Sequence, residues 1–87
     1  MQVMWKPEKN EWLKEARDLS FEQMEKAIAA GHLVAVLENE RHKNQVILVV
    51  EVDGYMIAVP TLIKGKTIFF MTAYPSSALT KKYGGKK

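Results

Sequence analysis

The chain is expected to fold as an α+β domain: two short N-terminal helices packed on a four-stranded antiparallel meander, followed by a short C-terminal helical turn. Three observations predict this. Apolar residues recur at helical spacing as far as Gly31, valine-rich runs take over after it, and Asp53-Gly54 separates two of those runs as a hairpin turn would.

Each element has its own signal. Gln2 to Trp5 alternates weakly and is compatible with a short strand. Pro7 opens the first helix, over 7–17, because proline is tolerated at the first helical position. Trp12, Leu13, Ala16 and Leu19 form its apolar stripe. Ser20 and Gln23 make a capping box for the second helix, over 20–30, with Phe21, Met24, Ala27 and Ile28 as its inner face. Gly31 stands where a helix commonly ends in the left-handed region. Strands are then expected over 32–38, 45–52, 55–62 and 66–73, with tight turns at Asp53-Gly54 and Lys64-Gly65. Pro60 must sit where a missing N–H does no harm. The inner strands lack clean alternation, so both faces are expected to be covered, the second by the C-terminal segment or a partner. Pro75 is expected to break the sheet, and Ser76 or Ser77 to cap a last helical turn. The expected core is Trp12, Leu13, Phe21, Met24, Ile28, Val34, Val36, Ile47, Val49, Ile57, Val59 and Phe69.

The 87 residues make one domain, with 84–87 expected to be disordered. There is no cysteine, which rules out disulfides, thiolate metal sites and cysteine nucleophiles, and favours a cytoplasmic setting. No signal peptide is read, and the longest aliphatic run, Val46 to Val50, is too short for a membrane span. Charge is uneven. Residues 1–31 carry five basic and six acidic side chains, residues 32–63 two and four, and residues 64–87 six lysines and no acid. The last third is therefore the place for a polyanion, or simply a solvated terminus.

His32 and His42 lack metal-ligand spacing, and no phosphate-binding glycine loop or nucleophile elbow exists, so neither metal nor cofactor is expected. What remains suits RNA. Its 2′-hydroxyl can attack the adjacent phosphate, provided that a protein aligns the groups, moves protons and stabilises the added charge. Lys9, Arg41, His42, Lys81 and Tyr83 have the chemistry for catalysis; Lys64, Lys66, Lys81 and Lys82 could bind the backbone. Each also reads as an ordinary exposed residue.

Trp5-Lys6-Pro7-Glu8-Lys9-Asn10 followed by Leu19-Ser20-Phe21-Glu22 resembles the opening of BrnT-like toxins of bacterial type II toxin–antitoxin systems. The stretch from Asn44 to Tyr55 is similar to the central hairpin of that family, and Thr72-Ala73-Tyr74-Pro75-Ser76 with Thr80-Lys81-Lys82-Tyr83 to its C-terminal signature. The resemblance implies a RelE-like fold, metal-independent endoribonuclease activity that arrests growth, RNA as substrate and a small antitoxin protein as partner. It implies functional roles for Lys9 and for Lys81, Lys82 and Tyr83. The chain departs from the family pattern at Ser77-Ala78, where a basic residue follows proline-serine, and at Glu15-Ala16-Arg17, where histidine is frequent. A catalytically silent relative that binds protein or RNA, and a plain interaction module, are the alternatives; monomer and homo-oligomer are both open.

Overall fold

A computed structural model describes residues 2–84. The order of elements is β1 (Gln2–Met4), α1 (Pro7–Arg17), α2 (Phe21–Ala29), β2 (Leu33–Glu38), β3 (Gln45–Val52), β4 (Tyr55–Lys64), β5 (Thr67–Phe70), β6 (Tyr74–Pro75) and α3 (Ser77–Tyr83). The class is α+β as expected, and β2 to β5 form the antiparallel meander. Two strands extend it. β1 joins the far edge parallel to β5, with Val3 opposite Ile68, and β6 pairs with β4. The sheet is thus mixed, in the order β1-β5-β4-β3-β2.

Local chemistry sets the boundaries. Pro7 begins α1, and Asp18 ends it in the left-handed region at φ 56°. Ser20 caps α2 by accepting the Gln23 N–H through its hydroxyl at 3.1 Å, and Gly31 follows at φ 93°. The β3–β4 hairpin closes through Asp53 and Gly54 at φ 53° and 83°, both positive as a two-residue turn of this hand requires.

One face of the sheet packs on α1 and α2. Its core holds Leu13, Leu19, Phe21, Met24, Leu48, Val50, Ile57, Val59, Phe70 and Ala73. Trp5 seals one side, its ring stacked at 6.1 Å on Phe70 and tilted at 5.6 Å against Phe21. A single polar side chain organises the helical layer. Asn10 is buried, accepts the Phe21 N–H at 2.8 Å and donates to a Glu22 carboxylate oxygen at 2.8 Å. It thereby locks α1 to the first turn of α2. Along β3 and β4 the alternate positions Val49, Met56 and Ala58 point to the opposite face and are buried too. α3 lies against β4, so the C-terminal segment supplies the second cover. It is anchored by Thr80, whose hydroxyl accepts the Met56 N–H at 2.9 Å and donates to the Ser76 carbonyl at 2.7 Å. Ser76 caps the helix by accepting the Leu79 N–H at 3.1 Å.

Several expectations need correction. Trp12 is exposed, because the inward stripe of α1 runs through Asn10 and Leu13, and Trp12 stands about 100° around the helix from Leu13. Val34 and Val36 are exposed because β2 is an edge strand, and α2 lies against β3. Ile28, Ile47 and Phe69 are only partly buried. Pro75 does not break the sheet but pairs with Ile57, and the strand expected over 66–73 stops at Phe70. Pro60 explains that stop. Its carbonyl accepts the Met71 N–H at 2.9 Å, so its nitrogen faces the same side of β4 and has no hydrogen to offer there. The ladder lapses at Met71–Ala73 and resumes as β6. Gly84 caps α3, and the expected disorder of the last three residues falls outside those described.

Candidate functional site

The lapse opposite Pro60 opens a cleft of about 970 Å³. Ile47, Pro60 and Tyr74 line it from the sheet, Met71 and Thr72 from the lapse between β5 and β6, Lys9 from α1, and Glu38 to His42 with Gln45 from the end of β2 and its loop. The loop is built around Asn39. Its side-chain oxygen accepts the N–H groups of Arg41 and His42 at 3.1 and 3.3 Å, and its amide donates to the Gln45 side chain at 3.3 Å. This is an Asx-type turn, in which a short side chain replaces a backbone acceptor. The loop closes through the Gln45 N–H on the His42 carbonyl at 2.9 Å. Arg41 and His42 are therefore exposed side chains on a tied backbone.

The cleft brings together three of the expected catalytic residues, Lys9, Arg41 and His42, from segments more than thirty positions apart. It does not bring Lys81, Lys82 or Tyr83 to them. Those three lie on α3, which ends at Gly84 beside the Gly54 carbonyl at the hairpin end of the sheet. Gly54 and Pro60 are six residue steps apart along the strand, about 20 Å. The Lys82 ammonium sits 5.4 Å from the Tyr83 ring. Lys64 and Lys66 flank Gly65 in the β4–β5 turn, at the same end as the Asn39 loop because Gln45 pairs with Leu62, but they do not line the cleft.

Several cleft residues were missed in the sequence. Tyr74 is 37% exposed and stands beside Met71 and Thr72. Glu38 and Glu40 place two carboxylates among the cations. Asn39 could have been found as an asparagine two and three residues before a basic pair; Tyr74 depended on the unforeseen break in the sheet. Arg17, exposed at the end of α1, donates to the Ala73 carbonyl at 2.8 Å and ties the helix to the segment that borders the cleft.

The chemistry on offer is polar and general. Arg41 and Lys9 can neutralise a phosphate, His42 can move a proton, either glutamate can accept one, and Tyr74 offers a ring. Among the described residues no three histidine, aspartate or glutamate side chains are grouped to hold a metal ion, and no helix is long and apolar enough to cross a membrane. No family model, curated protein or solved structure matches the chain.

Proposed function

We propose that the chain is a cytoplasmic, metal-independent endoribonuclease, the toxin of a toxin–antitoxin pair. The observation that supports the activity is the meeting of Lys9, Arg41 and His42 in one cleft beside Tyr74. The pairing with a small antitoxin rests on the family resemblance. In this reading the 2′-oxygen of the substrate attacks phosphorus as Glu40 or His42 takes its proton. The bond to the 5′-oxygen breaks, that oxygen takes a proton from the conjugate acid of the same base or from water, and a 2′,3′-cyclic phosphate and a 5′-hydroxyl are left. Arg41 and Lys9 stabilise the charge that builds on the phosphate. Lys64, Lys66, Lys81 and Lys82 serve as remote, sequence-independent contacts to the RNA backbone.

The test is incubation of the purified chain with end-labelled RNA in EDTA. Wild-type protein is expected to produce cyclic-phosphate ends, and His42→Ala to lose cutting by about a hundredfold or more while binding holds. Intact RNA with wild-type protein would refute catalysis. One observation favours a second reading, binding without cutting: Glu38 and Glu40 offset Lys9 and Arg41, leaving the cleft close to neutral. RNA or an antitoxin retained but never cut would establish that reading instead.

A further inference from the structure

Trp12 is the largest side chain that the fold leaves in the open, 44% exposed on α1. Burial elsewhere on the helix does not require it, since Asn10 and Leu13 supply the inward contacts. Two cations hold the ring. The Lys9 ammonium lies 4.3 Å from its centroid and the Arg17 guanidinium 4.7 Å. They are held differently. Arg17 is fixed by its hydrogen bond to the Ala73 carbonyl, whereas Lys9 makes no ion pair among the described residues. Lys9 also borders both the cleft described above and a shallower concavity formed with Lys6, Glu8 and Trp12.

We propose that Trp12 is a stacking platform for an unpaired nucleobase of single-stranded RNA, the subsite next to the cleft along the strand. The inference rests on the ribonuclease reading. An exposed indole flanked by cations is how proteins hold single strands without reading sequence: the ring takes a base and the cations take the phosphates on either side. Arg17 sets the position of the ring, and Lys9 leaves it for a phosphate when the strand enters. Because Lys9 borders both concavities, a strand stacked on Trp12 leads its next phosphate to Lys9 and toward Arg41 and His42. Lys6 adds a second cation on that path, beside Glu8.

The probe is a short 2′-O-methyl oligonucleotide, which lacks the attacking hydroxyl and so reports binding without cleavage. Trp12 and Trp5 are the only two tryptophans, and Trp5 is stacked on Phe70. Binding is therefore expected to quench the wild-type fluorescence, and the quenching to vanish in Trp12→Phe. Trp12→Ala is expected to weaken affinity roughly 5- to 150-fold, the loss of one stacked base, with an unchanged dependence on salt. Trp12→Phe, which keeps a ring, is expected to stay closer to wild type. Lys9→Ala is expected to flatten the salt dependence by about one phosphate contact. Binding without quenching, or Trp12→Phe quenched like wild type, overturns the proposal while leaving the ribonuclease reading standing if RNA is still cut. Neither binding nor cutting overturns both; quenching by a protein partner with none by the oligonucleotide overturns the stacking proposal alone if RNA is still cut. The fluorescence measurement on Trp12→Phe decides the matter even if Trp12→Ala fails to fold.

Discussion

Replacing Asn10 tests the corner that joins the two helices. In Asn10→Ala the Phe21 N–H loses its 2.8 Å acceptor in a buried site. An orphaned buried donor costs about 1–3 kcal/mol. Alanine returns roughly half a kcal/mol through its better helix propensity. The net expectation is a loss of about 0.5–2.5 kcal/mol, read as a lower urea midpoint at unchanged slope and a fall in Tm of roughly 2–20 °C. Asn10→Asp is the sharper probe. It keeps an acceptor for Phe21 but sets a carboxylate where the amide donated to Glu22 at 2.8 Å. In the native chain the Asn10 amide is the main cause holding the Glu22 carboxyl below its ordinary pKa, helped by its own backbone N–H. That stabilisation is present above the unfolded pKa and fades as pH falls through the folded one. The introduced carboxylate reverses the sign: two facing carboxylates raise the pKa of the pair, so the penalty is present at neutral pH and relieved by acid. Stability measured by urea from pH 7 down to about pH 3 is expected to lose this contribution for wild type and to recover for Asn10→Asp. Parallel slopes, or an Asn10→Ala midpoint equal to wild type, would refute the account of this corner.

Gly54→Val is expected to cost about 1–2 kcal/mol, because no atom crowds the position and the penalty lies in a β-branched residue at φ 83°; an unchanged midpoint would remove the turn from the argument. Thr80→Val removes the acceptor of the Met56 N–H and is expected to cost about 1–2 kcal/mol and to speed amide exchange in α3 before the rest of the sheet. Trp5→Ala should cost about 3 kcal/mol or more through its lost packing on Phe21 and Phe70, measured by the same denaturation. Lys81→Ala with Lys82→Ala should weaken RNA binding and its salt dependence while leaving single-turnover cleavage of bound RNA unchanged; slower cleavage would bring α3 into the chemistry.

The elements that announce themselves locally were legible. The Ser20 cap, the Asp53-Gly54 turn and Pro7 each depend on residues within one turn of the chain. Long-range facts were not. The stripe of Trp12, Leu13, Ala16 and Leu19 suits a helix but leaves its exact inward direction open by one residue, and the deciding residue, Asn10, is polar. An asparagine inside a helix is a poor helix former, and that mismatch was the one available hint. Val34 and Val36 read as core because a valine run does not reveal which strand becomes the edge. The cleft was half legible: the residue types at Lys9, Arg41 and His42 suggested the chemistry, but their meeting depends on how the fold sets α1 and the β2–β3 loop beside Pro60 and Met71.

The parallel pairing of β1 with β5 has a consequence for the order in which the molecule assembles. The meander forms from neighbours in the chain, whereas Gln2 must find Thr67 across two intervening helices and three strands. Such a contact is entropically expensive before the rest is in place. β1 is therefore expected to dock last and to fray first. Lys9 lies two residues into the helix that β1 leads, so fraying of that strand loosens one wall of the cleft while the meander stays folded. Amide exchange at Val3 and Met4 faster than in β3 and β4 would report that opening directly.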